Sequence, residues 1–169
     1  MNITEKLKHK ITTRQVSGEI KLDRIYRNLI KQAVFMTLQS ESVEKPCVVN
    51  VLITDDKGIR SYNKKYRGVD KATDVLSFPM QSFSYAGWNG ITDIDIDMDT
   101  QTVPLGDIIL SVQSIKRQAR DYGHTFLHES VRMIVHSTLH LLGYEHENPE
   151  SERKMEEKEE TIVKYMGYF

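Results

Sequence analysis

The chain has 169 residues, 28% charged and 39% in the hydrophobic set, with 23 Lys and Arg against 24 Asp and Glu for a net charge of −1. That length and balance suit one domain over residues 1–169 with one packed core, and they exclude general disorder. The near-neutral charge offers no global attraction for a polyanion, so any surface that binds one must be a local patch.

The opening stretch MNITEKLKHKI is too polar for a signal sequence, and no apolar run approaches the roughly 20 residues of a spanning helix. A cytoplasmic location without a membrane partner is the expectation. From Leu22 to Leu38 the residues Leu22, Ile25, Leu29, Ala33 and Met36 recur at helical spacing. The run CVVNVLIT reads as a strand, and its lone Cys47, unable to form an internal disulfide, reads as a buried inert thiol. Thr54 or Asp55 then caps a short helix with Ile59, Tyr62 and Tyr66 on one face. TDVLSFP is a second strand, stopped by Pro79. Residues 80–104 show no helical periodicity and read as a flexible flap or a hairpin. There Asp93, Asp95, Asp97 and Asp99 alternate with apolar residues, but a calcium loop would need Gly at Met98 and Glu at Pro104. A polar strand face or mobile loop is the simpler reading. LGDIILS is a third strand, leading into a helix capped by Ser111, carrying Val112, Ile115 and Ala119, and ended by Gly123. A helix from about Phe126 to Leu142 ends at Gly143, and a last one, from Ser151 to Met166, alternates acids and bases around Met155, Ile162 and Val163.

The strongest chemical signal is VHSTLHLLGYEH. His136 and His140 are four apart and share one helix face. Gly143 permits a left-handed turn that returns His146 to the same point, so three imidazoles can converge on one metal ion, expected to be one zinc per chain. Three neutral ligands leave a fourth position open, the arrangement of a catalytic site. His9, His124 and His128 lack such a context and read as surface or core residues. The same spacing occurs in one class of zinc peptidases, which place a Glu directly after the first His as general base. Here Ser137 stands there, about 100° round the helix from His136 and so at the metal's flank, with no useful basicity.

HSTLHLLGYEH resembles the H-G-x-L-H-L-x-G-Y-D-H signature of the YbeY family, bacterial endoribonucleases that act in ribosomal RNA maturation. YNKKYRGVDKATDVLSFP is similar to the pattern N-x-x-Y-R-x-x-D-x-P-T-D-V-L-S-F-P of that family, and LGDIIL to the strand that follows it. The matches keep the family's order and span about Val48 to the C-terminus. Ser137 replaces the usual Gly, Glu145 the usual Asp and Ala72 the usual Pro, and none of these removes a metal ligand. The resemblance implies His136, His140 and His146 as zinc ligands and Arg67 as the catalytic arginine, whose planar guanidinium suits charge gathering on phosphate oxygens. Asp74 and Ser77 are secondary candidates, and Lys64, Lys65 and Lys71 could position a phosphate backbone.

The expected architecture is α+β, a small mixed sheet with about five helices, the metal site on a helix and its turn. The expected function is a zinc-dependent endoribonuclease, a hydrolase cutting single-stranded RNA in maturation of the 3′ end of small-subunit ribosomal RNA and in ribosome quality control. RNA and ribosomal particles are the expected partners. Two alternatives stand beside it, an assembly factor with structural zinc and a zinc peptidase. The sequence identifies neither a general base nor an oligomeric state.

Overall fold

Alternation along Cys47–Thr54 sends Cys47, Val49, Val51 and Ile53 to one side of a strand and Leu52 to the other, so this strand is covered on both faces. It is β2, at the centre of the computed structural model, which describes residues 9–16 and 21–169. It pairs in parallel with β1 (Lys10–Gln15) and with β6 (Val103–Ser111). The short β3 (Val75–Pro79) runs antiparallel on the outer edge of β6, giving a mixed sheet of order β1-β2-β6-β3. Fully burying a Val, Leu or Ile side chain contributes about 1.5–3 kcal/mol, and the core draws such residues from β2 and β6 and from the helices packed on them.

Helix α1 (Arg24–Ser40) follows β1, and α4 (Phe126–Leu141) packs on α1 and the same sheet face, with α5 (Pro149–Tyr165) outside α4. The opposite face is closed by α2 (Asp56–Arg67), whose Ile59 meets Leu76 and Ile109. Helix α3 (Val112–Tyr122) leads from β6 to α4. The expected architecture, α+β with a mixed sheet and five helices among the described residues, is observed.

Asp55 and Ser111 cap their helices as expected, accepting hydrogen bonds from the backbone N–H groups of Gly58 and Ser114. Three details differ from the sequence expectation. The strand β1 had no counterpart there, because KITTRQ is polar and lies on the sheet edge, where alternation is weak. In α1 the buried stripe is Tyr26, Ile30, Ala33, Val34 and Thr37, rotated by one residue from the expected one, and Ile25 is 77% exposed. The last helix starts earlier, at Pro149, because Asn148 caps it and exchanges bonds with Ser151.

Residues 80–104 resolve to the hairpin reading. β4 (Ser82–Phe83) pairs antiparallel with β5 (Ile91–Thr92) around a 3-10 turn at Trp88–Gly90, and Trp88 is buried in the main core. Gln81 staples the loop by donating to the carbonyls of Asp95 and Pro104 and accepting from the Asp95 N–H. Ile94 and Ile96 pack against the core while all four aspartates point to solvent, as a polar face requires.

Candidate metal centre

The end of α4 is built to return the chain. Gly143 sits at φ +84 and its N–H donates to the carbonyl of His140, while the N–H of Tyr144 donates to that of Leu139. These two bonds form a Schellman terminator, which only a residue tolerant of the left-handed region closes without strain. A Cβ on Gly143 would lie 2.5 Å from Cγ of Phe83 in the β4 hairpin, so the position needs glycine for space as well as for conformation. The turn carries His146 back over the helix. The ligand-capable atoms of His136, His140 and His146 all lie within 4.8 Å of one another, the one such cluster of His, Cys, Asp or Glu among the described residues.

The hydrogen bonds around the rings fix which nitrogen faces the cluster. Nδ1 of His136 is 2.9 Å from a carboxylate oxygen of Glu159, and Nδ1 of His140 is 2.7 Å from the carbonyl oxygen of Tyr144. Both partners are acceptors, so both Nδ1 atoms carry a proton, and in the neutral form of each ring the lone pair is on Nε2. Those two Nε2 atoms are 3.0 Å apart. Two lone pairs at that distance repel unless a proton or a cation lies between them. A tetrahedral zinc with nitrogen ligands at 2.0–2.1 Å separates its ligand atoms by about 3.3 Å, close to this spacing. Burial, then the neighbouring His136, pushes the His140 pKa down to about 4, so the ring stays neutral and available as a ligand at ordinary pH.

The cluster opens into a cleft of about 450 Å³ lined by Arg67, Asp74, Ser77, His136, His140 and His146, among others. Arg67, the last residue of α2, lies over the ring of Phe78, donates to the carbonyl of Ser77 at 3.0 Å, and is near enough to His140 to depress its pKa. Asp74 is held at the start of β3 by the Val75 N–H and the Thr73 hydroxyl, a structural engagement. Lys64 is paired with Asp70, and Lys65 and Lys71 are exposed on the same flank.

Ser137 differs from the expectation. It is fully buried, its hydroxyl has no hydrogen-bond partner among the described residues, and it does not line the cleft. The remaining histidines stand apart from the cluster. His9 accepts the N–H of Cys47, while His124 stacks on His128 and engages the buried Glu129. Burial pushes the Cys47 thiol up to about 12, in keeping with an inert role.

Two residues at the centre went unmarked in the sequence. Tyr144 supplies the carbonyl that orients His140, and its hydroxyl donates to Glu41, itself paired with Lys158 of α5. Glu159 was lost in the charge run of α5. The signal was present, since 155, 159, 162 and 163 are helically spaced and three of the four are apolar, so a carboxylate at 159 lies within a buried stripe.

A model of the family "Endoribonuclease YbeY" matches residues 10–167. A protein of that name from Acetivibrio thermocellus is 38% identical over 158 residues, covering 94% of this chain and 97% of its own length. One from Caldanaerobacter subterraneus is 41% identical over 139 residues, covering 82% and 86%. The solution structure of a Thermotoga maritima protein superposes with a TM-score of 0.57 at 27% identity, covering 89% of this chain and 86% of that one.

Proposed function

The chain belongs to the YbeY family of endoribonucleases, and from that premise we propose that its 169 residues form one domain that cuts single-stranded RNA with one zinc ion held by His136, His140 and His146. The observation that carries the metal assignment is the pair of Nε2 lone pairs 3.0 Å apart, each turned inward by an acceptor on its own Nδ1. Zinc bound there supplies Lewis acidity toward a phosphoryl oxygen or a water. Arg67 is the catalytic side chain. It lines the same cleft, and its guanidinium answers the charge that gathers on the non-bridging oxygens as the phosphodiester is attacked. Phe78 beneath it and the Ser77 carbonyl beside it set its direction.

Arg67 in the cleft, with Lys65 and Lys71 exposed on either side of it in sequence, can hold a backbone by its phosphates without reading bases. The substrate in the cell is ribosomal RNA, at the 3′ end of the small-subunit species and in defective particles removed by quality control, and the work is done in the cytoplasm. No helix among the described residues is long and apolar enough to cross a membrane. A structural zinc would have four protein ligands, and no fourth His, Cys, Asp or Glu joins the three among the described residues. A peptidase would need a base after the first histidine, and Ser137 is sealed in the core.

The deciding experiment measures zinc content and cleavage of a single-stranded RNA by the purified protein, with a chelator and with His140→Ala as controls. Zinc near one per chain and cleavage lost in both controls is the expected result. Cleavage that persists in metal-free protein would overturn the proposal.

A further inference from the structure

Glu159 comes from α5, a helix that supplies none of the three histidines, and it is 23 residues from the one it touches. It is only 7% exposed. One carboxylate oxygen accepts Nδ1–H of His136 at 2.9 Å, and the other accepts from Arg132 at 3.2 Å. Arg132 is one turn before His136 on α4, and its remaining nitrogens clasp the fully buried Glu129 at 2.9 and 3.2 Å. Gln118 and His124 complete the contacts of Glu129. Burial works to raise the Glu129 carboxyl, but the bonds from Arg132, His124 and Gln118 outweigh it and hold it below the usual range. A buried ionised carboxylate therefore anchors the arginine that anchors Glu159.

We propose that Glu159, held in place by Arg132, is the positioning residue of the metal centre, a carboxylate that fixes the tautomer and ring direction of His136. This deepens the zinc reading above and rests on it. A carboxylate that accepts Nδ1–H leaves Nε2 as the lone-pair atom and makes it more basic, so the ion binds more tightly. The contact with Arg132 fixes the other oxygen, so the carboxylate keeps its direction toward Nδ1. His140 needs no such partner, because the carbonyl of Tyr144 already orients it and carries no charge to be restrained.

The test measures zinc affinity by competition with a chromophoric chelator for the parent, Glu159→Ala and Glu159→Gln, and thermal unfolding of each after metal removal. The parent is measured first, and a parent that binds no zinc would overturn the ligand reading beneath this proposal. With a parent that binds, Glu159→Ala weakens affinity by about 10–100-fold. Glu159→Gln recovers part of that loss, since its amide oxygen still accepts Nδ1–H but without charge. A purely structural role for Glu159 predicts lower unfolding temperatures with unchanged affinity of the folded fraction. That result, or a parent-like affinity in Glu159→Ala, would overturn the proposal.

Discussion

Replacing Gly143 by Ala perturbs the turn that brings His146 to the other two histidines, and the structure separates the cost into two parts. The first is conformational. At φ +84 an L-residue sits in the left-handed region, which costs about 1–2 kcal/mol. The second is steric. The added methyl carbon would lie 2.5 Å from Cγ and 2.7 Å from Cβ of Phe83, and neither atom is the free end of a flexible side chain. Overpacking of that kind costs about 1–3 kcal/mol, so the total is about 2–5 kcal/mol.

Gly68 provides the control, because it ends α2 at φ +70 and an added Cβ there meets nothing within 4 Å. Gly68→Ala should therefore carry the conformational cost alone. Urea unfolding of the chelated parent and both variants measures the difference. Zinc affinity should fall in Gly143→Ala and hold in Gly68→Ala, since only the first displaces His146, a proposed ligand. If the two variants lose the same stability to within about 0.5 kcal/mol, the resolution of additivity, the close approach of Phe83 does not constrain the turn and the reasoning is wrong.

If the guanidinium acts on developing phosphate charge as proposed and is no ligand, Arg67→Ala should keep zinc and fold yet lose most RNA cleavage, with Arg67→Lys recovering part of it. Single-turnover cleavage at the parent rate in Arg67→Ala would show the assignment to be wrong. The His140 ring is depressed from 6.5 to about 4, so the unfolded chain takes up its proton at a higher pH than the folded one. Its contribution to stability is complete above pH 6.5 and is lost as pH falls toward 4, and chelated parent protein should therefore weaken over that window more steeply than His140→Ala. Parallel stability curves would count against it. Ser137→Ala removes a buried hydroxyl that has no partner and should raise stability by about 1 kcal/mol. Ser137→Gly gives back about that amount through helix flexibility, with zinc and RNA cleavage intact and no proteolysis in any form. Metal-dependent cleavage of an unfolded protein by the parent would refute the reading of this position.

Local chemistry was the legible part of the sequence. Asp55 and Ser111 announced helices because a cap is a bond to the next turn, and the four-residue step from His136 to His140 announced a shared face because α-helical geometry allows little else. Gly143 marked the turn for a similar reason. What was hidden is non-local. The edge strand β1 has Thr12 and Thr13 in place of an apolar alternation, and it is a strand because β2 offers it a ladder. The face of α1 was misplaced by one residue because Tyr26 is buried through a ring stacked on Phe126 and a hydroxyl bonded to Ser130, partners about a hundred residues away.

The same division runs through the metal centre and explains how one scaffold can serve different chemistry. The three histidines form a nearly local motif on α4 and its turn, and such a motif by itself fits a peptidase as well as a nuclease. What distinguishes the two lies outside the three histidines. Arg67 reaches the cleft from the end of α2, with Phe78 and Ser77 of β3 setting its direction, and on the proposed reading it supplies a cation where a phosphodiester gathers negative charge. On the helix itself the peptidase base position is given to a serine that faces the core, which removes the proton acceptor an amide substrate would need. A variant carrying glutamate at position 137 would not recover that base, because a side chain directed into a fully buried site cannot reach the cleft. Its carboxylate would be desolvated and the fold would fail before any new activity arose. On the proposed reading, the lack of a peptidase base follows from which face of α4 residue 137 occupies, and that face is set by packing on the sheet.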